Sequence, residues 1–193
     1  LNDVILEIDN KSMTNRPDLW GHYGIAREIA ALYDLPMQSF PRFDRNVENT
    51  AGLHITVEDS VRCPRMTGTQ IEGLSVKPAP YWMQNRIWKV GMRPINALVD
   101  ITNYVMLATG QPSHAYDSDH IAGHIIVRRA KAGETLTLLN GRELPLSTDD
   151  LTIADDAGIV GLAGVMGGAK DSILPTTSRV ILEIANFQAA GIR

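Results

Sequence analysis

The chain has 193 residues, 18 Lys+Arg against 22 Asp+Glu for a formal net charge of −4, and 44% hydrophobic residues. This excludes a disordered or collagen-like chain, and the acidic balance argues against a free-standing nucleic-acid binder, though not against a domain that meets nucleic acid at one end. A single cysteine, Cys63, excludes a disulfide-stapled scaffold, no run approaches the roughly eighteen apolar residues of a membrane span, and no signal-peptide pattern is present.

In chain order, Val4 to Ile8 reads as a strand and residues 9 to 17 as a polar loop. Asp18 is placed to cap a helix from about Leu19 to Tyr33, with Ile25, Ile29 and Leu32 on one face and Asp34-Leu35-Pro36 as its stop. Residues 36 to 50, with Pro36 and Pro41 and no sustained period, read as a linker. The expected division is therefore a leading segment over 1–50 and a main domain over 51–193. Within that domain, Leu53 to Val57 and Met66 to Ile71 read as strands. A helix follows from about Pro80 to Val90, with Met83, Ile87 and Val90 on one face and Gly91 at its end. A further helix from about Ile95 to Ala108 carries Leu98, Ile101, Val105 and Ala108 as its apolar stripe.

The character then turns to β. Ile125 to Arg129 is a strand; Leu136–Leu139 and Arg142–Leu146 flank Asn140-Gly141, a strong hairpin signal; Leu151–Ala154 and Ile159–Leu162 flank a second turn; Val180 to Ile184 is the last strand. Helices first and strands after indicate an α+β fold rather than alternating βαβ units.

Walker loops, dinucleotide fingerprints and Gly-x-Ser-x-Gly elbows are missing from the sequence. His120 and His124 stand four apart with Gly123 between them and lack the neighbouring Glu of a zinc helix, so no metal site is expected. Cys63, followed by Pro64, reads as a buried or idle thiol. Three regions remain as candidates. Arg93-Pro94-Ile95-Asn96 leads through Asp100 and Asn103 to Gly110-Gln111-Pro112 and His114. Singly, Asn103 reads as a polar helix residue, His114 as a loop imidazole bonded to backbone, and Asp100 and Asp117 as local caps. Ala163-Gly164-Val165-Met166-Gly167-Gly168 follows a strand end, where small residues make either a tight turn or a backbone that a ligand can approach. Glu183, between apolar neighbours in a strand, either reaches solvent from a sheet edge or is buried. Burial would demand a donor or raise its pKa.

Together these pieces, with Asp100-Ile101-Thr102-Asn103-Tyr104-Val105-Met106-Leu107, His114-Ala115-Tyr116-Asp117 and Leu182-Glu183, resemble the B3/B4 domain of bacterial phenylalanyl-tRNA synthetase β subunits. Asp9-Asn10-Lys11-Ser12-Met13-Thr14-Asn15-Arg16-Pro17-Asp18-Leu19-Trp20 and Gly24-Ile25-Ala26-Arg27-Glu28 resemble the segment preceding it, so the match runs the length of the chain. Two departures stand out: Ser113 where a bulky apolar residue is usual, and Tyr116 where Phe is usual.

The resemblance implies a β-sandwich of unusual topology with packed helices. It also implies an editing role, the hydrolysis of tyrosine mischarged onto tRNA(Phe). Glu183 matches the acceptor of the tyrosine hydroxyl. His114, Arg93, Asn103 and Pro112 match positions near the ester and terminal adenosine, and Gly164 and Gly167 match the backbone bordering the substrate. No activated Ser or Cys is evident, so water is the expected nucleophile, with His114 orienting it or acting as general base. The implied setting is a cytoplasmic heterotetramer with an α subunit whose own site uses ATP and magnesium, the 3′ end of tRNA(Phe) as partner, and no membrane. No cofactor is implied for this piece. Further tyrosine-pocket residues of the family would fall beyond Arg193, so the piece is expected to be C-terminally truncated and inactive in aminoacylation. The competing reading is a stand-alone B3/B4-like module that binds RNA or protein without catalysis.

Overall fold

The computed structural model describes residues 3–40, 52–170 and 172–193. They form two compact units: the described parts of Leu1–Glu48 with Lys77–Ser113, and those of Asn49–Val76 with His114–Arg193. The expected linker over 36–50 falls mostly outside the described residues.

The first unit is helical. Two short 3-10 turns, Lys11–Met13 and Pro17–Trp20, precede helix α1, His22–Tyr33. Val4, Ile5, Leu6 and Ile8, expected as a strand, have no regular structure and are exposed. A lone extended segment leaves its N–H and C=O groups without a ladder, and no described strand pairs with this one. Asp18 does not cap α1. Gly21 holds that position, and the Asp18 carboxylate is taken by Arg16, at 2.9 Å, and by Arg27, which together hold its carboxyl far below the usual range. The stop at Asp34 is as expected, with that residue in the left-handed region at φ 52°. The expected face is not buried, since Ile29 and Leu32 are exposed.

Helix α2, Tyr81–Lys89, buries Met83 and Ile87 as expected, whereas Val90, expected on the same face, caps its C-terminus and is exposed. Each such burial contributes about 1.5–3 kcal/mol. Helix α3, Ala97–Thr109, starts at Asn96, whose side chain accepts from the N–H groups of Leu98 and Val99 at 3.1 Å. Its expected stripe is turned the wrong way: Ile101 and Val105 are exposed, whereas Asp100 and Thr102 are buried. Ala97, Tyr104 and Leu107 face the α2 cluster of Ala79, Met83 and Ile87. The Oδ1 of buried Asp100 accepts the N–H of Ile95 at 2.8 Å, the capping role expected of it, while its Oδ2 is buried without a hydrogen-bond partner among the described residues.

The second unit is mostly β. Its strands are β1 (Ile55–Val57), β2 (Arg65–Ile71), β3 (His114–Asp117), β4 (Ile125–Arg129), β5 (Thr135–Thr137), β6 (Glu143–Pro145), β7 (Leu151–Asp155), β8 (Gly158–Leu162), β9 (Met166–Gly167) and β10 (Val180–Asn186). The expected Asn140-Gly141 hairpin joins β5 to β6, and the second expected hairpin joins β7 to β8. A five-stranded sheet has the order β1-β4-β7-β8-β9, with β1 parallel to β4 and the other pairs antiparallel. A three-stranded antiparallel sheet has the order β2-β10-β3. Ile125, Val127, Ile153 and Val160 of the first sheet share one core with Tyr116 and Ile181 of the second. The architecture is thus α+β with two sheets on a common core.

Candidate functional site

Strand β10 lies between β2 and β3, so Glu183 sits on a central strand rather than at an edge. It is opposite His114 on β3 and Gly68 on β2, while Tyr116 is opposite Ile181. Paired residues of an antiparallel ladder share a face, and side chains alternate along each strand. Glu183, Ile181, His114 and Tyr116 therefore all lie on the face that Ile181 and Tyr116 turn into the core. Burial leaves Glu183 only 7% exposed. Its partner is internal: the hydroxyl of Tyr116, itself 2% exposed, donates to Glu183 Oε2 at 2.5 Å. Burial pushes the Glu183 carboxyl above the usual carboxylate range, and the bond from Tyr116 opposes that shift.

His114 is half-buried, and its ring meets that of Tyr116 edge-on, with centroids 4.5 Å apart and planes at 70°. Burial holds its imidazole below its ordinary value of 6.5, so the ring is neutral at pH 7. The other wall is backbone. A Cβ on Gly167 would come within 2.7 Å of both Cε1 and Nε2 of His114, so this close approach requires glycine. Two ladders thus bring together a buried carboxylate, a phenol, a neutral imidazole and a bare stretch of main chain. Such a set can accept a hydrogen bond from a ligand hydroxyl and can hold or deprotonate a water.

Of the residues singled out in the sequence, His114, Glu183 and Gly167 belong to this cluster. His114 is in a strand, not the loop its neighbours Gly110, Gln111 and Pro112 suggested. Gly164 lies in the turn between β8 and β9 with φ 69°, its α-carbon facing Ile192 and Phe187. Arg93, Asn103 and Pro112 belong to the first unit. Arg93 is exposed ahead of α3, Asn103 is half-buried on it, and Pro112 is exposed beyond it, its carbonyl accepting from the Gln111 side chain at 3.0 Å. Asp117 is a local cap: one carboxylate oxygen accepts the N–H of Asp119, the other the hydroxyl of Thr177. Cys63 is buried and its thiol pushed up by burial, which makes it a poor nucleophile. His124 pairs with Asp156 at 2.8 Å, and among the described residues no group of three or more His, Cys, Asp or Glu side chains is arranged to hold a metal ion.

Sequence reading missed Tyr116 as a member of the site. The available signal was an aromatic two residues from His114, the spacing that puts both on one strand face.

The electrostatics carry a stability prediction. With its folded pKa raised above 4.5, Glu183 binds its proton more readily in the native than in the unfolded chain. Native stability therefore falls as pH rises from that unfolded value through the raised one. Glu183→Gln keeps an acceptor for Tyr116 and removes the buried charge. Its unfolding midpoint is expected to exceed the parent's at pH 8, with the gap closing toward pH 4.5. Thermal unfolding of both chains across that range checks this, and a variant less stable than the parent at pH 8 would contradict it.

Comparison with known proteins adds the following. A family model described as "B3/4 domain" matches residues 62–193. The phenylalanine–tRNA ligase beta subunit of Solibacter usitatus (strain Ellin6076) is 47% identical over 192 residues, covering 99% of this chain and 25% of that protein. The protein of the same name from Dehalococcoides mccartyi (strain CBDB1) is 45% identical over 196 residues, covering 100% of this chain and 24% of that protein. The chain thus spans about a quarter of the length of these relatives. Among solved structures, an N-terminal fragment of the phenylalanyl-tRNA synthetase beta-subunit from Pyrococcus horikoshii is similar with a TM-score of 0.54 at 17% identity, covering 95% of this chain and 56% of that one. That likeness bears on the fold alone.

Proposed function

The chain belongs to the B3/4 domain family, and from that premise we propose that it is the editing domain of a phenylalanine–tRNA ligase β subunit, hydrolysing the ester of tyrosine mischarged onto tRNA(Phe). The observation that carries this reading is the Tyr116–Glu183 bond: the buried carboxylate accepts a phenolic hydroxyl, the one group by which tyrosine differs from phenylalanine. An apolar pocket rejects an added hydroxyl poorly, whereas a site built to bond it discriminates strongly, because the analogue lacking it leaves a buried acceptor unmatched.

In this reading Glu183 accepts the substrate's phenol. His114, neutral and packed on the bare backbone of Gly167, orients the attacking water or takes its proton. The ester carbonyl carbon gains the water oxygen, its C–O bond to the ribose breaks, and the leaving ribose oxygen takes up a proton. Arg93, Asn103, Pro112 and Gly164 are assigned substrate-binding roles on the family resemblance alone. The same reading places the chain in the cytoplasm, beside an α subunit whose site uses ATP and magnesium for charging.

The test is single-turnover hydrolysis of Tyr-tRNA(Phe) and Phe-tRNA(Phe) by the intact ligase. Tyr-tRNA is expected to be cleared faster, and His114→Ala to slow the step by about 10²–10⁴. The parent rate is expected to hold as pH falls through 6.5 and to drop only below it, as the depressed imidazole takes a proton. Clearance of neither tRNA above its uncatalysed rate would leave the binding-module reading in its place.

A further inference from the structure

We propose that Tyr116 is a positioning residue for specificity: its hydroxyl fixes the Glu183 carboxyl group on the inner sheet face as an acceptor for the phenol of an incoming tyrosyl group. This rests on the editing reading and adds to it a residue that never touches the reacting atoms.

The geometry has three parts. Register places Tyr116 opposite Ile181, one step diagonal to Glu183, within reach of a long aromatic across a β-ladder. Both groups are buried and each supplies a partner to the other: a desolvated phenol hydroxyl costs free energy without an acceptor, and a desolvated carboxylate without a donor. The Tyr116 ring also abuts the His114 imidazole edge-on, so a single side chain braces both members of the site. A carboxylate has two oxygens and about four lone-pair directions, and the bond to Tyr116 engages Oε2.

The surroundings of Glu183 leave few other groups to set its charge. On β3 the titratable neighbours are Tyr116 and His114. On β2 the opposite residue is Gly68, and its same-face neighbours Met66 and Gln70 are uncharged. The core residues of the other sheet, Ile125, Val127, Ile153 and Val160, carry no charge. Among the described residues Cys63, whose thiol is itself pushed up by burial, also senses Glu183. Loss of the Tyr116 hydroxyl would thus remove the bond that opposes the upward push of burial on Glu183.

The experiment uses the intact ligase with Tyr116→Phe, which keeps the ring against His114 and deletes only the hydroxyl. The readout is the ratio of single-turnover hydrolysis rates, Tyr-tRNA over Phe-tRNA, from pH 5 to 9, with Glu183→Ala in parallel and thermal melting as the check of folding. The ratio is expected to fall on the order of tenfold at pH 7, the scale of one charge-assisted hydrogen bond. The pH at which the parent's selectivity disappears is expected to move upward in Tyr116→Phe. An unchanged ratio and pH profile would overturn the proposal. So would a higher ratio, which would make Tyr116 a competitor for the acceptor. If Glu183→Ala alone lowers the ratio, only the role of Tyr116 fails; if neither variant does, the specificity role of Glu183 fails with it; and a parent ratio of one would overturn the editing reading itself.

Discussion

Glu183→Ala in the intact ligase is expected to lower single-turnover hydrolysis of Tyr-tRNA(Phe) roughly ten- to over a hundredfold, the kinetic equivalent of a lost charge-assisted hydrogen bond worth about 1.5–3 kcal/mol. Hydrolysis of Phe-tRNA(Phe), whose side chain has no hydroxyl for this carboxylate, is expected to change far less, so the preference itself collapses. The variant also removes the acceptor that the Tyr116 hydroxyl meets at 2.5 Å. Glu183→Gln separates the two effects: it satisfies Tyr116 but offers the substrate a neutral acceptor, and selectivity is expected to fall between parent and Ala. Clearance of Tyr-tRNA by Glu183→Ala at the parent's rate and selectivity would reduce Glu183 to a structural carboxylate.

Gly167→Ala is expected to cost about a hundredfold in the hydrolytic step although it deletes no functional group. The added Cβ would lie 2.7 Å from Cε1 and Nε2 of His114, closer than real Cβ contacts, so the ring must move. Displacement of a positioned group by about 1 Å is enough for a loss of order 10². The neighbouring Gly168 meets a different obstacle, since its Cβ would come 2.6 Å from the carbonyl oxygen of Val160, which is backbone and cannot swing aside. Gly168→Ala should therefore act on folding, and Gly167→Ala on the imidazole. Gly52→Ala, where no atom lies within 4 Å of the new Cβ, serves as the control at parent rate. The His114 imidazole resonances in the variant report its displacement directly. Parent-like resonances and parent-like hydrolysis in Gly167→Ala would refute the packing argument.

Much of the second unit was legible because its signals are local. Asn140-Gly141 dictates a tight turn whatever surrounds it, and the apolar run around Glu183, rich in β-branched residues, has the composition of a strand. The α+β class, the β5–β6 and β7–β8 hairpins and the strand carrying Glu183 follow from such short-range rules. The motif pattern likewise points to the B3/4 family. Where a local signal had two outcomes, the sequence left both open: Glu183 read equally as an edge residue or a buried one.

Tertiary structure decided those cases. Glu183 is buried because β10 lies between β2 and β3, strands that begin more than sixty residues earlier in the chain, a pairing no local window contains. His114 became a strand residue by joining that ladder, although Pro112 and Gly110 upstream read as loop. Helix α3 turned part of its expected face outward because α2 packs on Ala97, Tyr104 and Leu107, and burial of Asp100 leaves one carboxylate oxygen bonded to the Ile95 N–H and the other without a hydrogen-bond partner among the described residues. Val4 to Ile8 had the composition of a strand, but no described strand pairs with it. By itself, then, the sequence determined the class, the turns, the family and the list of reactive side chains, because these depend on neighbours a few residues away. Which faces are buried, and that a phenol rather than water meets Glu183, depend on free energies of desolvation and pairing that exist only once distant strands and helices are in contact.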